Sequence, residues 1–316
     1  MKFYPLKLKP VTKYIIWGGN YLKDNFGYKS DDDNIAEAWI TTCRPDGVNI
    51  IENGEEAGTT LGAYIEKAGK ENVYGDFEDF PLLIKFIDAN DKLSVQVHPD
   101  DAYAKANGLD AGKTEMWYIV DAKEGASLVY GLRDKVKPTA KELLEYNEQG
   151  KLAEKLNFVP VKKGDCFFIP AGLVHAIGEG IVIAEIQQNS NTTYRMYDYD
   201  RVGKDGKKRE LHIEKAAEVI KTEFDGNFIS GKVVDETKTI LCDCELFSVE
   251  KFIVDCYDLA IEGGTMTSII CLDGNATIMC DGKEYAISKG DSYLLPKALS
   301  GVTVNGKCEI IVSKAK

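Results

Sequence analysis

Short segments rich in β-branched and aromatic residues recur along most of the chain, and no other feature constrains its fold as strongly. Typical examples are "PLLIKFID" (81–88), "EMWYIVDA" (115–122) and "IVIAEIQQ" (181–188). Gly, Asp and Asn turns separate these segments, whose side chains favour the half-buried surface of a strand. Helical patterns are restricted to residues 60–69, 100–107, 138–156 and 212–222. The sequence therefore predicts a mainly β sandwich or barrel with a few short helices.

One internal repeat sharpens this prediction. "GDCFFIPAGLVH" begins at Gly164, and "GDSYLLPKALSG" begins at Gly290. In both copies Gly-Asp is typical of a tight turn into a strand, and a proline ends the strand after four intervening residues. The second copy has Gly301 where the first has His175. We therefore predict two similar β-barrels, the second of which has lost its functional side chains.

Composition excludes several classes of partner. A net charge of −12 disfavours binding to nucleic acid or to an anionic membrane. No apolar run approaches the ~20 residues that cross a bilayer, and the N-terminus lacks the apolar core of a signal peptide. The eight cysteines show no C-x-x-C pairing, so we expect reduced thiols, with a metal pair at Cys242 and Cys244 as the weaker alternative. We predict a cytoplasmic protein that is a monomer or a homodimer.

The stretch "LSVQVHPDD" (93–101) contains one of only three histidines in the chain. Its strand-like alternation places Ser94, Gln96 and His98 on one face. Two further candidates are Glu115, which begins an apolar strand, and His175, which follows a Pro-x-Gly turn. Taken singly, a strand histidine is more often structural than metal-binding. Together, two imidazoles, a carboxylate and an amide oxygen suit a divalent ion such as Zn²⁺, whereas His212 at a helix start has no metal role.

The spacing around His175 carries a resemblance to a known family. The pattern Gly164-x5-Pro170-x-Gly172-x2-His175 resembles the second motif of the cupin superfamily, whose jelly-roll barrel binds a metal inside. Gln96-x-His98, followed by Glu115, is similar to the altered first motif of the type I mannose-6-phosphate isomerases. The resemblance implies one Zn²⁺ per chain, bound by four residues: Gln96, His98, Glu115 and His175.

Two other stretches resemble the same family. "QQNSNTTYRMYDYDR" (187–201) is similar to its signature Q-x-S-N-x-T-Y-R-x-Y-D-x-x-R, and "WGGNYL" (17–22) with "IAEAW" (35–39) is similar to its N-terminal segment. Gly112 stands where long members have histidine, so no proton transfer is assigned to this position. With the repeat, the resemblance predicts two cupin-type barrels. These are a catalytic metal-binding domain over residues 1–235 and a degenerate C-terminal β domain over 236–316, with the boundary near 225–240.

The resemblance implies an aldose–ketose isomerase that interconverts mannose 6-phosphate and fructose 6-phosphate through an enediol. Arg195 resembles the family's active-site arginine and would hold an oxyanion or the phosphate. Lys113 and Glu185 are alternative candidates for the catalytic base. If Lys113 is not the base, it would contact the phosphate or a hydroxyl group of the substrate. If Glu185 is not the base, it would form a buried ion pair with an arginine. Ser94 would contact the phosphate, or else bond to a backbone carbonyl.

Two other functions stay open from the sequence. One is an isomerase for another aldose phosphate, because no residue announces recognition of the C2 configuration. The other is a metal-binding, sugar-sensing cupin without catalysis, against which the stretch around Arg195 counts. The basic run "KDGKKR" (204–209) is predicted to be a loop that helps to attract an anionic sugar phosphate.

Overall fold

The computed structural model describes residues 1–203, 206–224 and 231–316, and it confirms the mainly β architecture. The helices are α1 (Tyr21–Phe26), α2 (Leu61–Ala68), α3 (Lys70–Val73), α4 (Asp101–Ala106), α5 (Ala140–Glu148), α6 (Leu152–Lys155) and α7 (Ile213–Val219), with a 3-10 turn at Gly54–Glu56. The strands of the first half are β1 (Leu6–Lys9), β2 (Val11–Lys13), β3 (Glu37–Thr41), β4 (Cys43–Arg44), β5 (Gly47–Val48), β6 (Ile50–Ile51), β7 (Leu82–Ala89), β8 (Val95–Val97), β9 (Glu115–Ala122), β10 (Ser127–Leu132) and β11 (Leu156–Pro160). Those of the second half are β12 (Cys166–Ile169), β13 (His175–Ala176), β14 (Ile181–Gln188), β15 (Tyr194–Tyr197), β16 (Lys232–Val233), β17 (Lys238–Asp243), β18 (Phe247–Asp255), β19 (Leu259–Glu262), β20 (Thr267–Cys280), β21 (Lys283–Ser288), β22 (Ser292–Leu295) and β23 (Gly301–Ala315).

All four predicted helical stretches contain helices, but the stretch 138–156 is two helices. Thr139 caps α5 through a capping box, in which its hydroxyl accepts from the backbone of Glu142 and the Glu142 carboxylate accepts from the backbone of Thr139. The chain then turns at Gly150, whose φ of +65° ends the helix. The short helices α1 and α3 were not predicted, because six and four residues are too few to show a helical period.

Two antiparallel sheets surround the predicted metal ligands. One has six strands in the order β12-β9-β14-β7-β3-β2, and the other has five in the order β11-β10-β13-β8-β15. Along β9, Trp117 and Ile119 point into an apolar core that includes Tyr130 of the five-stranded sheet. Their neighbours Met116 and Tyr118 point into a second core, which the C-terminal strands share. Strand β9 is thus buried on both faces, which explains its nearly continuous apolar sequence.

The C-terminal strands form a ten-stranded sheet that also recruits the N-terminus. Strand β1 pairs with β22, with Leu6 opposite Leu294, and β6 pairs with β1 in turn. The long strands β20 and β23 run side by side through the middle of this sheet. The division at residue 235 and the count of two barrels stay predictions, and residues 225–230 of the predicted boundary lie outside the described residues.

Both copies of the internal repeat adopt the same local structure. Gly164 and Gly290 have φ values of +92° and +87°, a left-handed conformation that favours glycine. The aspartate that follows each glycine accepts a hydrogen bond of 2.9 Å from a backbone N–H three residues earlier. The four-residue strands β12 and β22 then end immediately before the prolines. The repeat therefore marks two equivalent turn–strand units.

All eight cysteines are free, in agreement with the prediction of reduced thiols, and five of them are buried. Within the described residues, none of the helices has the length and apolar character needed to span a bilayer.

Candidate active site

Strand register places one row of polar side chains on each of the two sheets, facing the apolar core that contains Trp117 and Tyr130. On the six-stranded sheet, Glu185 of β14 lies directly opposite Lys85 of β7 and opposite Trp117 of β9. On the five-stranded sheet, Gln96 of β8 lies opposite both His175 of β13 and Arg195 of β15. Directly opposed residues on neighbouring strands share a face. The fold thus brings together residues that are up to 110 positions apart in the sequence.

Three of the predicted metal ligands form a buried cluster. The ligand atoms of His98, Glu115 and His175 lie within 4.8 Å of one another. His98 Nε2 is 3.2 Å from Glu115 Oε1 and 3.1 Å from His175 Nε2. The side-chain amide of Gln96, the fourth predicted ligand, lies 3.4 Å from His175 Nε2. Each of these residues stands where the sequence pattern predicted it relative to the others.

Backbone carbonyls fix the tautomer of both imidazoles. His98 Nδ1 lies 2.9 Å from the carbonyl oxygen of Thr192, and His175 Nδ1 lies 2.8 Å from that of Leu173. A carbonyl oxygen only accepts, so both Nδ1 atoms donate and both Nε2 atoms present lone pairs. Burial lowers the pKa of His98 to about 3 and also lowers the pKa of His175. Neutral imidazoles with free Nε2 atoms are the form that binds a metal.

The cluster attracts positive charge. Burial alone would raise the pKa of Glu115, but the neighbouring charge of Lys113 holds it well below its usual range. The Lys113 ammonium lies 2.7 Å from Glu115 Oε1 and 3.2 Å from His98 Nε2. A cationic group therefore already sits where an imidazole lone pair and a carboxylate oxygen converge. Two neutral imidazoles and a carboxylate fit a borderline divalent ion such as Zn²⁺.

A second buried pair lies beside the cluster. The Lys85 Nζ is 3.3 Å from Glu185 Oε2, and both side chains are only 4% exposed. The indole N–H of Trp117 donates to Glu185 Oε1 and to Glu115 Oε2, each at 2.9 Å. Burial and the charge of Glu115 raise the pKa of Glu185 to about 7, although Lys85 opposes them. One indole thus links the carboxylate of the candidate metal cluster to a second buried carboxyl group, whose pKa is raised.

A cavity of about 300 Å³ lies beside both groups, and its lining includes Gln96 and Lys113 next to the cluster and Lys85 and Glu185 of the buried pair. Its lining includes four cationic side chains, which are those of Lys85, Lys113, Arg195 and Arg209. It also includes the carboxylates of Glu37 and Glu185 and the polar side chains of Ser94, Gln96, Asn191 and Thr193. Burial and the neighbouring charge of Arg209 lower the pKa of Arg195, whose Nη1 donates to the carbonyl of Glu210. In a chain of net charge −12, this cavity is locally suited to an anion.

Sequence analysis missed several residues of this cavity. Lys85 lies in an apolar strand without a motif, and only its register opposite Glu185 reveals it. Glu37 lies within residues 35–39, which resemble the family's N-terminal segment, but its place 3.6 Å from Lys85 Nζ shows only in the structure. Trp117 looked like an ordinary core residue. Arg209 is the last residue of the predicted basic loop, of which Lys204 and Asp205 lie outside the described residues. The Asp198 carboxylate accepts a hydrogen bond of 2.7 Å from Arg209 Nε, which holds that guanidinium at the cavity.

The remaining predicted residues are placed as follows. Ser94 Oγ is 3.5 Å from Gln96 Oε1, and Ser94 faces the cavity. His212 lies outside the metal-ligand cluster, and its Nδ1 accepts a hydrogen bond of 3.3 Å from the backbone N–H of Arg195. His212 therefore supports the strand that carries Arg195.

A mainly β fold with a buried His–Glu–His cluster inside paired antiparallel sheets defines a cupin with a candidate metal site. Two family descriptions match the chain: "Phosphomannose isomerase type I, catalytic domain" over residues 6–133, and "Mannose-6-phosphate isomerase, cupin domain" over residues 236–315. The chain belongs to the type I phosphomannose isomerase family.

Whole-chain relatives agree with this assignment. The chain is 37% identical to the mannose-6-phosphate isomerase of Streptococcus mutans, over 98% of both chains. It is 39% identical to the mannose-6-phosphate isomerase ManA of Bacillus subtilis, again over 98% of each. Its fold matches the crystal structure of the mannose 6-phosphate isomerase from Bacillus subtilis with a TM-score of 0.88, at 33% identity, covering 98% of this chain and 99% of the other.

Proposed function

We propose that the chain interconverts mannose 6-phosphate and fructose 6-phosphate with a zinc ion bound by Gln96, His98, Glu115 and His175. The observation that carries the proposal is a buried His–Glu–His cluster next to a cavity that Gln96 and four cationic side chains line. Relatives that bear the name mannose-6-phosphate isomerase cover the same 98% of the chain. When bound, the ion supplies positive charge that polarises the substrate carbonyl and stabilises developing oxyanion charge.

The phosphate would bind at the two arginines. The guanidinium groups of Arg195 and Arg209 both line the cavity, and a planar guanidinium matches the oxygens of a phosphate. Ser94 lines the same cavity, so its hydroxyl would donate a further hydrogen bond to the phosphate. Lys113 reaches the cavity from the metal cluster, so it contacts a sugar hydroxyl or the phosphate. This assignment leaves the reacting carbons between the metal cluster and Glu185.

We infer that Glu185 moves the proton. In the aldose-to-ketose direction, the carboxylate takes the proton from C2 to give an enediolate, a proton passes from O2 to O1, and the carboxyl group returns its proton to C1, so no proton is gained or lost overall. A carboxyl group with a pKa of about 7 can accept and donate near neutral pH. Trp117 orients Glu185 Oε1, and Lys85 keeps a positive charge beside Oε2. Lys113, the other candidate base, lies against two metal ligands and serves better as a contact.

The direct test is turnover of mannose 6-phosphate to fructose 6-phosphate before chelation, after it, and after addition of Zn²⁺. We expect activity to disappear on chelation and to return with zinc. Arg195→Ala should keep the metal and lose turnover, whereas His175→Ala should lose the metal. Full activity in both variants would refute the assignment of these residues. A folded, zinc-loaded protein that turns over only another aldose phosphate, or none, would favour the two alternatives named from the sequence.

A further inference from the structure

The segment Asn189–Thr192 connects β14 to β15 and lies directly against the metal cluster. The carbonyl oxygen of Thr192 is the acceptor for His98 Nδ1, at 2.9 Å. The side chain of Asn191 lines the cavity. Because this segment lies between two strands, no ladder of backbone hydrogen bonds to a neighbouring strand fixes it. The backbone N–H of Asn189 donates to the carbonyl of Pro81 at 3.1 Å. Side chains hold the rest of the segment: Ser190 Oγ donates to the carbonyl of Ala111 at 3.0 Å, and Gln187 Nε2 donates to that of Ser190 at 2.6 Å.

The two-stranded hairpin β4–β5 contacts this segment through Arg44 and Asp46. Arg44 Nη1 donates to the carbonyl of Asn189 at 3.1 Å, and Nη1 and Nη2 both lie 3.3 Å from Asp110 Oδ2. Arg44 Nε donates to Asp46 Oδ1 at 3.0 Å, and Asp46 Oδ2 accepts from the side-chain amide of Asn191 at 3.1 Å. The Arg44 side chain is only 11% exposed. One guanidinium thus ties together the hairpin and two separate segments.

Both tethered segments lead to metal ligands. Asp110 precedes Lys113 and Glu115, and Asn189 precedes Thr192, the acceptor for His98. We propose that Arg44, with Asp46, is a positioning residue that holds Thr192 in place and so keeps the His98 ring protonated at Nδ1, with Nε2 free for the metal. A guanidinium can do this because its five donors form a fixed fork, whereas a lysine ammonium is a single point of charge. The metal part of this proposal rests on the proposed function.

The first experiment needs no metal. The chain has only three histidines, so imidazole NMR of the ¹⁵N-histidine-labelled, zinc-free protein can follow each ring separately. In Arg44→Met we expect the Nδ1 proton of His98 to exchange with water about tenfold faster than in the wild type, because its acceptor is no longer held. The Nδ1 proton of His175, bonded to Leu173 of another loop, serves as an internal reference and should not change.

Lys238→Met is the matched control, because it also removes a half-buried cation, one paired at 2.7 Å with Glu250 in the C-terminal sheet. It should leave the exchange of both protons unchanged. Unaltered His98 exchange in Arg44→Met, or equal acceleration for His98 and His175, would overturn the proposal. If Arg44→Met does not fold, Asp46→Ala at a 45% exposed side chain provides the same test through Asn191.

The second experiment measures zinc affinity by competition with a chromophoric chelator. We expect Arg44→Met to bind zinc about tenfold more weakly than the wild type. Arg44→Lys should lose less of the zinc affinity, and Lys238→Met should have the affinity of the wild type. Wild-type affinity in Arg44→Met would overturn the metal part of the proposal. A wild-type protein that binds no zinc at all would instead refute the proposed function, and the exchange experiment would still decide the role of Arg44.

Discussion

The sharpest prediction concerns Asp88, a carboxyl group that the fold buries away from the cavity. Its residue is 5% exposed, and its Oδ2 accepts a hydrogen bond of 2.7 Å from the backbone N–H of Tyr21 in the first turn of α1. Burial raises the pKa of Asp88 from 3.8 to about 6, although this hydrogen bond and the charge of Lys123 oppose the shift. The folded protein therefore binds the Asp88 proton more tightly than the unfolded chain does.

The sign of the effect follows from proton linkage. Between about pH 4 and pH 6 the folded state holds more protons, so the free energy of unfolding falls as the pH rises through this window. A shift of about two pKa units corresponds to about 3 kcal/mol, and partial solvent access at the site lowers this to about 2 kcal/mol. Asp88→Asn keeps an oxygen acceptor for Tyr21 and removes the charge. The free energy of unfolding of Asp88→Asn minus that of the wild type should thus rise by about 2 kcal/mol from pH 4 to pH 7.5.

Urea unfolding of both proteins at half-unit steps from pH 4 to pH 7.5 measures this difference. Asp165→Asn is the matched control, because Asp165 also accepts one backbone N–H but is only partly buried. Its stability relative to wild type should be nearly constant over the same range. A difference between wild type and Asp88→Asn that does not change with pH would refute the reasoning.

Three other substitutions test the architecture. Trp117→Phe removes the donor to two buried carboxylates, so urea unfolding should show a loss of about 3 kcal/mol or more, with kcat also reduced. Gly290→Ala places a Cβ 2.9 Å from Phe26 Cβ at a φ of +87°, and thermal unfolding should report a loss of about 1–3 kcal/mol. Pro296→Ala, at the end of β22, should lower stability in the same assay and leave the zinc content, measured by atomic emission, at one ion per chain.

Local sequence signals predicted the parts of the site that lie on single strands. Alternation along 93–98 placed Gln96 and His98 on one face, whereas the resemblance to the family, and not a local signal, grouped His175 and Glu115 with them. The alternation depends on neighbouring residues, so it is visible in one stretch of sequence. The repeated Gly-Asp turn was predictable for the same reason, because its φ value requires glycine wherever it occurs.

The rest of the site depends on strand register, which the sequence does not state. Lys85 reads as a polar break in an apolar strand until β7 pairs with β14 and brings it opposite Glu185. Trp117 reads as core because it is fully buried, yet its indole N–H serves two carboxylates. Arg44 belongs to a hairpin with no motif. Long-range pairing thus decides which buried polar residues acquire a partner, and a single sequence carries little information about it.

The pairing of β1 with β22 has a consequence for biosynthesis. Leu6 is translated 288 residues before its partner Leu294. One edge of β1 can pair early with β6, but its other edge waits for β22, and contacts so distant in sequence form slowly. Until β1 docks, β22 presents a free edge, which invites pairing with another chain. A polypeptide that lacks either strand would thus leave the other strand with an unpaired edge, so the closure of this sheet depends on the synthesis of both.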